Sequence, residues 1–445
     1  MSSMIKFASA LLFMSSPLAV LHLAHANDNT AENTAISPVK IELLSSQSLV
    51  LSSPKVSDLH ASEISSVSLS AINTRRQYVS YVSKMSSHDL YTPSMTQTSQ
   101  SDQYWKTVTG AQLNKGLPFA VSQTHSVIRL APRFDTLTSL NINDTISPDD
   151  IIVTPYTANP DFAIKGDPIN ENAISLIYSK VDADALATAG LSDHSSALAL
   201  SSEAKPGLYW LKVNKSLPSD GRYLLNVKEK HSPFQLSLNA PIAVAENTDA
   251  IRFNLALTNS QAPFTPKAFL KNNQGQQTPL KVIKYADHWQ ALLPQGESLS
   301  THNAGLSEIV VNVDTQIDGL PVIRSVKTAF KAFVNSAKIS KKVSVMRQDK
   351  QLQSILLNID VANEGRYEVS AVFTGTNKQG QSEVILKTQA ANWITRDSPQ
   401  LKLMLDAKLI QASGLKAPFA LTQLELKDQS QMARLSYQAH ALTFK

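Results

Sequence analysis

The chain has no cysteine among its 445 residues, and it has only 14 glycines and 4 tryptophans. The absence of cysteine excludes disulfide bonds, lipid attachment at a cysteine, and the thiolate ligands of structural zinc sites. Motifs of common enzyme classes are also missing: there is no H-E-x-x-H zinc site, no G-x-S-x-G nucleophile elbow and no Walker phosphate loop. Each domain must therefore be stabilised by its own apolar core.

The first 26 residues have the pattern of a secretory signal peptide. Lys6 is the only charge before the apolar stretch from Phe7 to Leu23, and Ala24-His25-Ala26 forms a small-x-small cleavage site. No later run of about 18 apolar residues follows, so the sequence predicts no integral membrane insertion. We expect cleavage after Ala26 and a mature protein that is periplasmic or secreted.

Length and charge limit the organisation and the partners. Removal of residues 1–26 leaves 419 residues, which suits about three domains of ordinary size. Without Lys6, the 41 Lys and Arg residues fall to 40, against 36 acidic residues, a net charge of +4. The nearest approach to a basic stripe, Lys338–Lys342, has no interleaved aromatic residues and falls at an expected domain edge. This pattern argues against nucleic acid as a partner.

A glycine-punctuated cassette occurs three times in the chain. Each copy has a glycine, an alternating apolar and polar run, a turn and a second apolar-rich run, and the copies begin at Gly207, Gly305 and Gly365. Each turn contains a second glycine: Asp220-Gly221, Asp318-Gly319 and Gln379-Gly380. Such dipeptides are typical of reversals between strands, so each cassette predicts a β-hairpin.

The strand pattern predicts a mostly β fold of tandem antiparallel β-sandwiches, at least one immunoglobulin-like, after a signal peptide and flexible leader. The predicted segments are a signal peptide at 1–26, a flexible leader at 27–56, a β-rich first domain at 57–235, an immunoglobulin-like β-sandwich at 236–336 and a C-terminal β-sandwich at 337–445. Within the first domain, the alanine-rich segment Val181–Leu191 predicts a short helical insertion that stops at Gly190.

Candidate catalytic residues are sparse. Two triplets contain the residue types of a Ser-His-Asp triad: Ser87-His88-Asp89 and Asp193-His194-Ser195. Adjacent side chains on a strand point to opposite faces, and such triplets are common in turns, so we interpret both as solvated loops. A cluster of His125, His194, Asp193 and a serine within ~4 Å in one cleft would instead indicate a hydrolase. No catalytic or cofactor-binding residue is predicted.

Oxygen donors, the ligand type of calcium, cluster in Asn141–Asp150 and in Asp182–Asp184. Neither segment has the spacing of an EF-hand, and Asp and Asn beside Pro148 are ordinary turn formers. No two histidines fall at ligand spacing for a transition metal. The sequence therefore predicts neither a metal site nor a cofactor.

Exposed aromatic rings are a signature of carbohydrate binding. Trp210, Trp289 and Trp393 lie in or next to alternating strands, which predicts buried positions. The pair Tyr104-Trp105 follows a polar loop and is the least core-like of the candidates. With so few aromatic residues, an open sugar-binding face is expected on at most one domain.

Four segments resemble a family of secreted gammaproteobacterial proteins of unknown function: Gly116–Pro132, the cassette from Gly365, Ala390–Ile394 and Ser413–Leu442. These proteins carry a signal peptide and tandem domains, some immunoglobulin-like, so the resemblance implies the same architecture from about Ser57 onward. The shared motifs are turn glycines and strand patterns. The family supplies no catalytic residues to transfer.

Two functional hypotheses follow. The first is a non-catalytic exported multi-domain protein, which acts as a structural or interaction module for an unknown protein or a cell-envelope polymer. Sandwich edges and end loops offer binding surface without reactive groups, which favours this hypothesis. The alternative is a hydrolase or a carbohydrate-binding accessory protein with a dispersed site in the first domain.

Overall fold

The computed structural model describes residues 44–445, apart from residues 56–57, 62, 67–73, 87–93, 134–144, 157–175, 273–274, 295–298 and 300–304. In this described part, 26 strands form five sheets, and no α-helix exceeds seven residues. Nearly all strand pairs are antiparallel, so the mostly β fold with tandem antiparallel sandwiches is confirmed. The predicted signal peptide, 1–26, lies outside the described residues.

In the described part of the chain, the elements follow one another without long helical segments. The strands are β1 (Leu44–Val50), β2 (Val79–Lys84), β3 (Thr96–Ser101), β4 (Gln103–Thr109), β5 (Leu117–Val121), β6 (Val127–Pro132), β7 (Ile151–Pro155), β8 (Ile177–Val181), β9 (Ser196–Leu200), β10 (Gly207–Val213), β11 (Arg222–Lys228), β12 (Leu236–Pro241), β13 (Ala243–Ala245), β14 (Ala250–Leu257), β15 (Lys267–Lys271), β16 (Gln277–Lys284), β17 (Trp289–Leu292), β18 (Ser307–Ile317), β19 (Leu320–Phe333), β20 (Ala337–Gln348), β21 (Gln351–Val361), β22 (Gly365–Thr376), β23 (Ser382–Ile394), β24 (Gln400–Met404), β25 (Lys416–Asp428) and β26 (Ala433–Phe444). The α-helices are α1 (Gly110–Lys115), α2 (Ala183–Thr188) and α3 (Ala407–Ser413). Of these helices, none is long and apolar enough to cross a bilayer, nor is any other helix of the described residues.

The N-terminal domain, residues 103–228, has two sheets around its own core. One sheet has the order β4-β11-β6-β9-β8 and the other the order β5-β10-β7. Alternate residues of each strand point inward, so Phe119, Leu211 and Val227 are buried together. All eight strands of this domain come from one continuous stretch of chain.

The middle domain is built on a nine-stranded sheet with the order β13-β19-β18-β15-β16-β17-β14-β12-β3. The sheet curls so that its far ends meet, because Gln97 on β3 donates a hydrogen bond to the carbonyl of Ala329 on β19. Phe253, Val311 and Phe330 lie in the core that this curvature encloses.

The C-terminal domain packs the sheet β1-β20-β21-β24 against the sheet β2-β23-β22-β25-β26. Its core includes Leu357, Phe373 and Leu403, which are fully buried. The strands β20 to β26 are consecutive, but β1 and β2 come from the start of the described chain. This domain is therefore completed by residues that lie about 300 positions earlier in the sequence.

An N-terminal arm, residues 44–101, supplies an edge strand to each of three sheets. The strand β1 pairs with β20, β2 pairs with β23, and β3 pairs with β12. Two predicted segments are wrong in consequence: the leader at 27–56 contains β1, and the first domain at 57–235 contains strands that join other domains. Alternation specifies an extended strand and its buried face, whereas the partner of an edge strand is chosen by tertiary packing.

Side-chain contacts fasten the arm to the C-terminal domain. The buried guanidinium of Arg366 donates to the carbonyls of Arg75 and Gln77 at 2.7 and 2.9 Å. The hydroxyl of Tyr78 donates to the carbonyl of Lys402 at 2.6 Å, which links the arm to the opposite sheet. The arm therefore binds both sheets of this domain.

Two of the three predicted hairpins are confirmed. The strands β18 and β19 pair directly, and Asp318 and Gly319 in their turn have φ of 51° and 80°, as a tight hairpin turn requires. The strands β22 and β23 also pair directly. The hairpin predicted at Gly207 is wrong, because β10 and β11 lie in different sheets of the N-terminal domain. Their connection passes from one sheet to the other and adds Leu217 to the core.

Candidate functional site

The two histidines of the hypothetical hydrolase site lie at opposite ends of the β6–β9 pair. The carbonyl of the residue after His125 accepts a hydrogen bond from the amide of Leu200 at 2.9 Å. Ser196, two residues after His194, pairs with Leu130. Four residues of strand separate these two points of the ladder, which is about 13 Å at ~3.3 Å per residue. The structure does not bring His125 and His194 into one cleft.

Asp193 and Ser195 do meet, in the geometry of a turn. The hydroxyl of Ser195 donates to Asp193 Oδ1 at 2.5 Å, and the same carboxylate lies 3.3 Å from the guanidinium of Arg129. An aspartate that accepts a bond from the residue two positions ahead is common turn chemistry. The other triplet, Ser87-His88-Asp89, lies outside the described residues.

The candidate calcium ligands have other partners where they are described. Asp149 Oδ1 lies 2.9 Å from Lys180 Nζ. Asp182 accepts a hydrogen bond from the amide of Ala185 at 2.8 Å, as the N-cap of α2. This helix falls inside the predicted segment Val181–Leu191, so the helical insertion is confirmed. Residues 141–144 of the first cluster lie outside the described residues. Among the residues that are described, no group of three or more potential metal ligands occurs.

The prediction that three tryptophans are buried is wrong. Trp210, Trp289 and Trp393 are all half-buried. Trp210 and Trp393 occupy outward positions of their strands, whereas Trp289 packs against the edge of the middle-domain core. Neighbouring side chains cover part of each ring: Tyr156 stacks on Trp210 with ring centroids 5.2 Å apart, Phe264 stacks on Trp289 at 6.1 Å, and Arg76 lies 5.3 Å from the ring centre of Trp393.

The pair Tyr104-Trp105 also differs from expectation. Tyr104 is 3% exposed and belongs to the core of the N-terminal domain. Its hydroxyl donates to the carbonyl of Ala120 at 2.9 Å, and burial raises the pKa of this phenol. Trp105 is half-buried, and its amide donates to the hydroxyl of Ser325 at 3.3 Å, across to the middle domain.

The outward side of the sheet β5-β10-β7 carries a cluster of apolar side chains, which we call the outer aromatic face: Ile152, Tyr156, Leu208 and Trp210. Ile152, Tyr156 and Leu208 are 39%, 43% and 44% exposed. The rings of Tyr156 and Trp210 are stacked, with centroids 5.2 Å apart and planes at 17°. These side chains share one face with Thr154 and with Lys212, which pairs with Ile152, on a sheet whose inward residues are buried in the core.

Strand register explains why these residues share one face. Trp210 pairs with Pro118 on one side and with Thr154 on the other. The amide of Tyr156 donates to the carbonyl of Leu208 at 3.0 Å, which holds the phenol ring beside the indole. Because the side-chain period is two, Thr154 brings a polar group to the same face. Aromatic rings beside polar groups suit a ligand with both apolar and hydroxylated faces.

A buried ion pair joins the N-terminal domain to the middle domain. Arg324 on β19 lies 2.6 Å from Glu229, and both side chains are 1% exposed. The same guanidinium donates to the hydroxyl of Ser232 at 2.8 Å and to the carbonyl of Phe234 at 2.6 Å. The amide of Ser122 donates to the second carboxylate oxygen of Glu229 at 2.6 Å. This hydrogen bonding offsets part of the cost of burying two charges.

A different polar network joins the middle and C-terminal domains. The carboxylate of Asp428 accepts hydrogen bonds from Ser336 at 2.6 Å and from Gln431 at 2.8 Å. The Gln431 amide in turn bonds both polar backbone atoms of Val334, at 2.8 and 3.0 Å. Burial raises the pKa of the neighbouring Tyr367 hydroxyl, with a smaller contribution from Asp428 in the same direction. Both junctions are therefore held by satisfied polar groups.

Among the described residues, the groups with a perturbed pKa are spread over all three domains. Burial lowers the pKa of Lys106 in the N-terminal domain. In the middle domain, burial alone would raise the pKa of Glu308, but hydrogen bonds from Lys327 and Lys271 outweigh it and lower the value. Burial raises the pKa of Tyr437 in the C-terminal domain. The candidate site that the described residues do assemble is the outer aromatic face.

Two family models match the chain. The N-terminal domain of DUF4785, a domain of unknown function, matches residues 70–229, and the C-terminal domain of DUF4785 matches residues 336–445. The crystal structure of a DUF4785 family protein from Legionella pneumophila is similar in fold, with a TM-score of 0.59 and 18% identity over 86% of this chain and 98% of that chain. None of the curated proteins matches the sequence.

Proposed function

The chain belongs to the DUF4785 family, and on that premise we propose that it is a non-catalytic exported scaffold that binds a cell-envelope polymer. The binding surface is the outer aromatic face of the N-terminal domain. The partner is a glycan polymer, since an indole and a phenol beside polar groups suit sugar rings, which have apolar faces and hydroxyl edges.

The observation that carries this proposal is the exposure of three large side chains on one face, of which Tyr156 is stacked on Trp210. Ile152, Tyr156 and Leu208 each expose about two fifths of their surface. Contiguous apolar patches on soluble proteins commonly mark interaction sites. A sheet holds these side chains in register, so little conformational entropy is lost when a ligand binds.

The rest of the molecule supports a scaffold role. The Arg324–Glu229 ion pair and the Asp428 network hold the domain junctions, and the N-terminal arm binds two of the domains. A rigid support improves binding because the surface is already in its bound shape. The proposal includes the expectation that the middle domain is an immunoglobulin-like β-sandwich.

Export rests on the signal-peptide pattern in residues 1–26, with cleavage after Ala26 into the periplasm or the medium. The lack of cysteine is compatible with an oxidising compartment, since the cores hold the domains without disulfide bonds. Cell fractionation of the full chain and of a variant without residues 1–26 tests this part. Recovery of the full chain in the cytoplasm would contradict it.

The hydrolase alternative depended on a cluster of His125, His194 and Asp193. Because the two histidines lie at opposite ends of the β6–β9 pair, that alternative loses its main support. The carbohydrate-binding alternative is part of the present proposal, but its binding residues are those of the outer aromatic face.

A pull-down of the mature protein with insoluble peptidoglycan sacculi tests the glycan assignment. We expect saturable binding that falls at least about tenfold in a Tyr156→Ala/Trp210→Ala variant, because a buried aromatic anchor contributes ~2 kcal/mol. Leu208→Asp is a second variant that leaves both rings in place. Tyr178→Ala is the matched control, since Tyr178 is 79% exposed on β8 of the other sheet.

Two outcomes would overturn the assignment, provided that thermal unfolding shows the variants to be folded. One is equal binding of sacculi by the wild type and the double variant. The other is capture of an envelope protein, in place of glycan, that depends on Tyr156; this result would assign the face to a protein partner.

A further inference from the structure

A pocket opens at one end of the C-terminal domain, between the β20–β21 turn and α3. Its volume is about 310 Å³, which is at the lower end of the range of small-molecule sites. Leu352, Ile410 and Phe419 form its apolar floor. Leu352 is 5% exposed, and the ring of Phe419 stacks on Phe373 with centroids 5.4 Å apart, so the floor is continuous with the core.

The rim of the pocket is cationic. Arg347 and Lys350 both line it, and none of its lining residues is acidic. Arg347 donates one hydrogen bond to the backbone oxygen of Lys445 at 2.8 Å. Within the described part of the chain, no residue pairs with the ammonium of Lys350. Asp349 precedes Lys350 in the turn but does not line the pocket.

The backbone at the rim is strained in a way that favours a functional role for Lys350. Asp349 and Lys350 have φ of 50° and 68°, a left-handed conformation that a two-residue hairpin turn needs at both positions. Glycine is the usual second residue of such a turn, and a lysine there is held at an energetic cost. The lysine places a cation at the mouth of an apolar pocket, which a glycine would not do.

We propose that this pocket binds a single acyl chain that ends in a carboxylate. The alkyl chain contacts Leu352, Ile410 and Phe419, and the carboxylate lies at the rim against Arg347 and Lys350. Arginine and lysine suit this headgroup because they form charge-assisted hydrogen bonds with carboxylate oxygens. The site lies in a different domain from the outer aromatic face, so neither proposal depends on the other.

Isothermal titration calorimetry of the mature protein with decanoate tests the site. We expect saturable binding that weakens about fourfold for each methylene removed in a series of shorter carboxylates. Decanol and decyltrimethylammonium probe the headgroup, and both should bind at least tenfold more weakly than decanoate. Inorganic phosphate, which has no alkyl chain, should not bind.

Variants separate the two parts of the site. Arg347→Gln/Lys350→Gln should reduce decanoate affinity at least tenfold, and Ala407→Leu should do the same by filling the pocket while both cations remain. Lys341→Gln/Lys342→Gln is the matched control, because it removes two exposed charges from the same strand. Circular dichroism establishes that each variant is folded.

Several results would overturn the proposal. Absence of saturable decanoate binding would do so, as would equal binding of decanol. Unchanged affinity in either pocket variant, or an equal loss in the Lys341→Gln/Lys342→Gln control, would also place the ligand elsewhere. An aromatic-face variant such as Leu208→Asp should bind decanoate as the wild type does, so failure of the glycan proposal leaves this test intact.

Discussion

The N-terminal and C-terminal domains are both two-sheet structures, but they obtain their strands differently. All strands of the N-terminal domain come from residues 103–228. The C-terminal domain takes β20 to β26 from its own segment and its two remaining strands from the N-terminal arm. The contacts of the C-terminal domain therefore join residues that lie about 300 positions apart in the chain. Such distant contacts raise the entropic cost of loop closure that folding must overcome.

The difference shows how the arm pairs sheet edges that would otherwise be exposed. Without the arm, β20 and β23 would present unpaired amides and carbonyls, a template for association with other chains. Most side chains of β1 are exposed, but Leu49 packs against the C-terminal core. In β2, Val82 packs against the same core. In both sheets the arm therefore covers an edge and adds an apolar side chain to the core.

Deletion of residues 44–84 should have the largest effect and should act on the C-terminal domain alone. The loss of 13 paired arm residues removes ladder hydrogen bonds with a net contribution of about 1 kcal/mol each, so we expect on the order of 5 kcal/mol or more of destabilisation. Hydrogen exchange should show loss of protection in β21 and β22 and none in β9 and β11. Equal protection in both domains would contradict the comparison.

A pair of point variants repeats this test in the full chain. Val82→Ser removes an arm side chain from the C-terminal core, whereas Tyr81→Ser changes its neighbour, which is 63% exposed. We expect the first to destabilise the C-terminal domain by about 1 to 3 kcal/mol and the second to have little effect.

Substitution of Arg324 should have the next largest effect, at the junction of the N-terminal and middle domains. Arg324→Met leaves the buried carboxylate of Glu229 without its counter-charge, which costs about 3 to 5 kcal/mol. Urea denaturation should show a smaller loss for Arg324→Met/Glu229→Leu, because no charge is then left buried. The exposed pair Arg252–Asp287 is the control, and Arg252→Met should have little effect because solvent screens this pair.

Gly110→Ala should destabilise the N-terminal domain without changing the C-terminal domain. A Cβ at this position would lie 2.0 Å from the carbonyl oxygen of Pro218, so the backbone must move, at a cost of about 1 to 3 kcal/mol. Gly365→Ala is the control in the C-terminal domain, where the nearest atom lies at an ordinary 3.4 Å. Thermal unfolding followed by domain-resolved hydrogen exchange distinguishes the two, and equal shifts would refute the steric argument.

Substitution of Glu308, in the middle domain, should have the smallest effect on stability. It should leave the stability of both terminal domains unchanged. Its carboxylate accepts hydrogen bonds from Lys327 at 2.7 Å and Lys271 at 2.9 Å, which lower its pKa in the folded state. Because the pKa of Glu308 is lower in the folded state, its carboxylate stabilises the fold at a pH above the ordinary pKa of about 4.5. This stabilisation is lost as the pH falls below that value and the carboxylate becomes protonated.

Glu308→Gln should therefore cost about 0.5 to 1 kcal/mol at pH 7. The difference from the wild type should shrink as the pH falls below about 4.5, because the protonated carboxyl resembles the amide. Urea midpoints measured across this pH range check the prediction. A difference that grows in acid would show that the ion pairs are not its source.

Features that depend on a few adjacent residues were predictable. The turn at Asp318 and Gly319 requires left-handed φ, which these residue types adopt readily, and the hairpin around it is confirmed. The helix within Val181–Leu191 ends before Gly190, as expected, and the structure adds Asp182 as its N-cap. Local chemistry sufficed at these positions because the relevant contacts lie within a few residues.

Features that depend on a distant partner were not predictable. The cassette at Gly207 has the same local pattern as the other two, yet its strands enter different sheets. The alternation around Trp210 specifies two faces, but it does not specify which face is inward, and the tryptophan lies on the outer one. The outer aromatic face could have been found from the Ile152, Thr154, Tyr156 alternation only if the pairing of β7 with β10 had been known.

The sequence by itself determined the β character of the chain, its lack of disulfide bonds, its tightest turns and the pattern of an exported protein. Only the tertiary structure decided that residues 44–101 complete two downstream domains, that Arg324 is buried against Glu229, and that Tyr156 stacks on Trp210. The physical reason is that backbone propensity and side-chain alternation act over a few residues, whereas the pairing of strand edges is decided by packing between segments far apart in the chain.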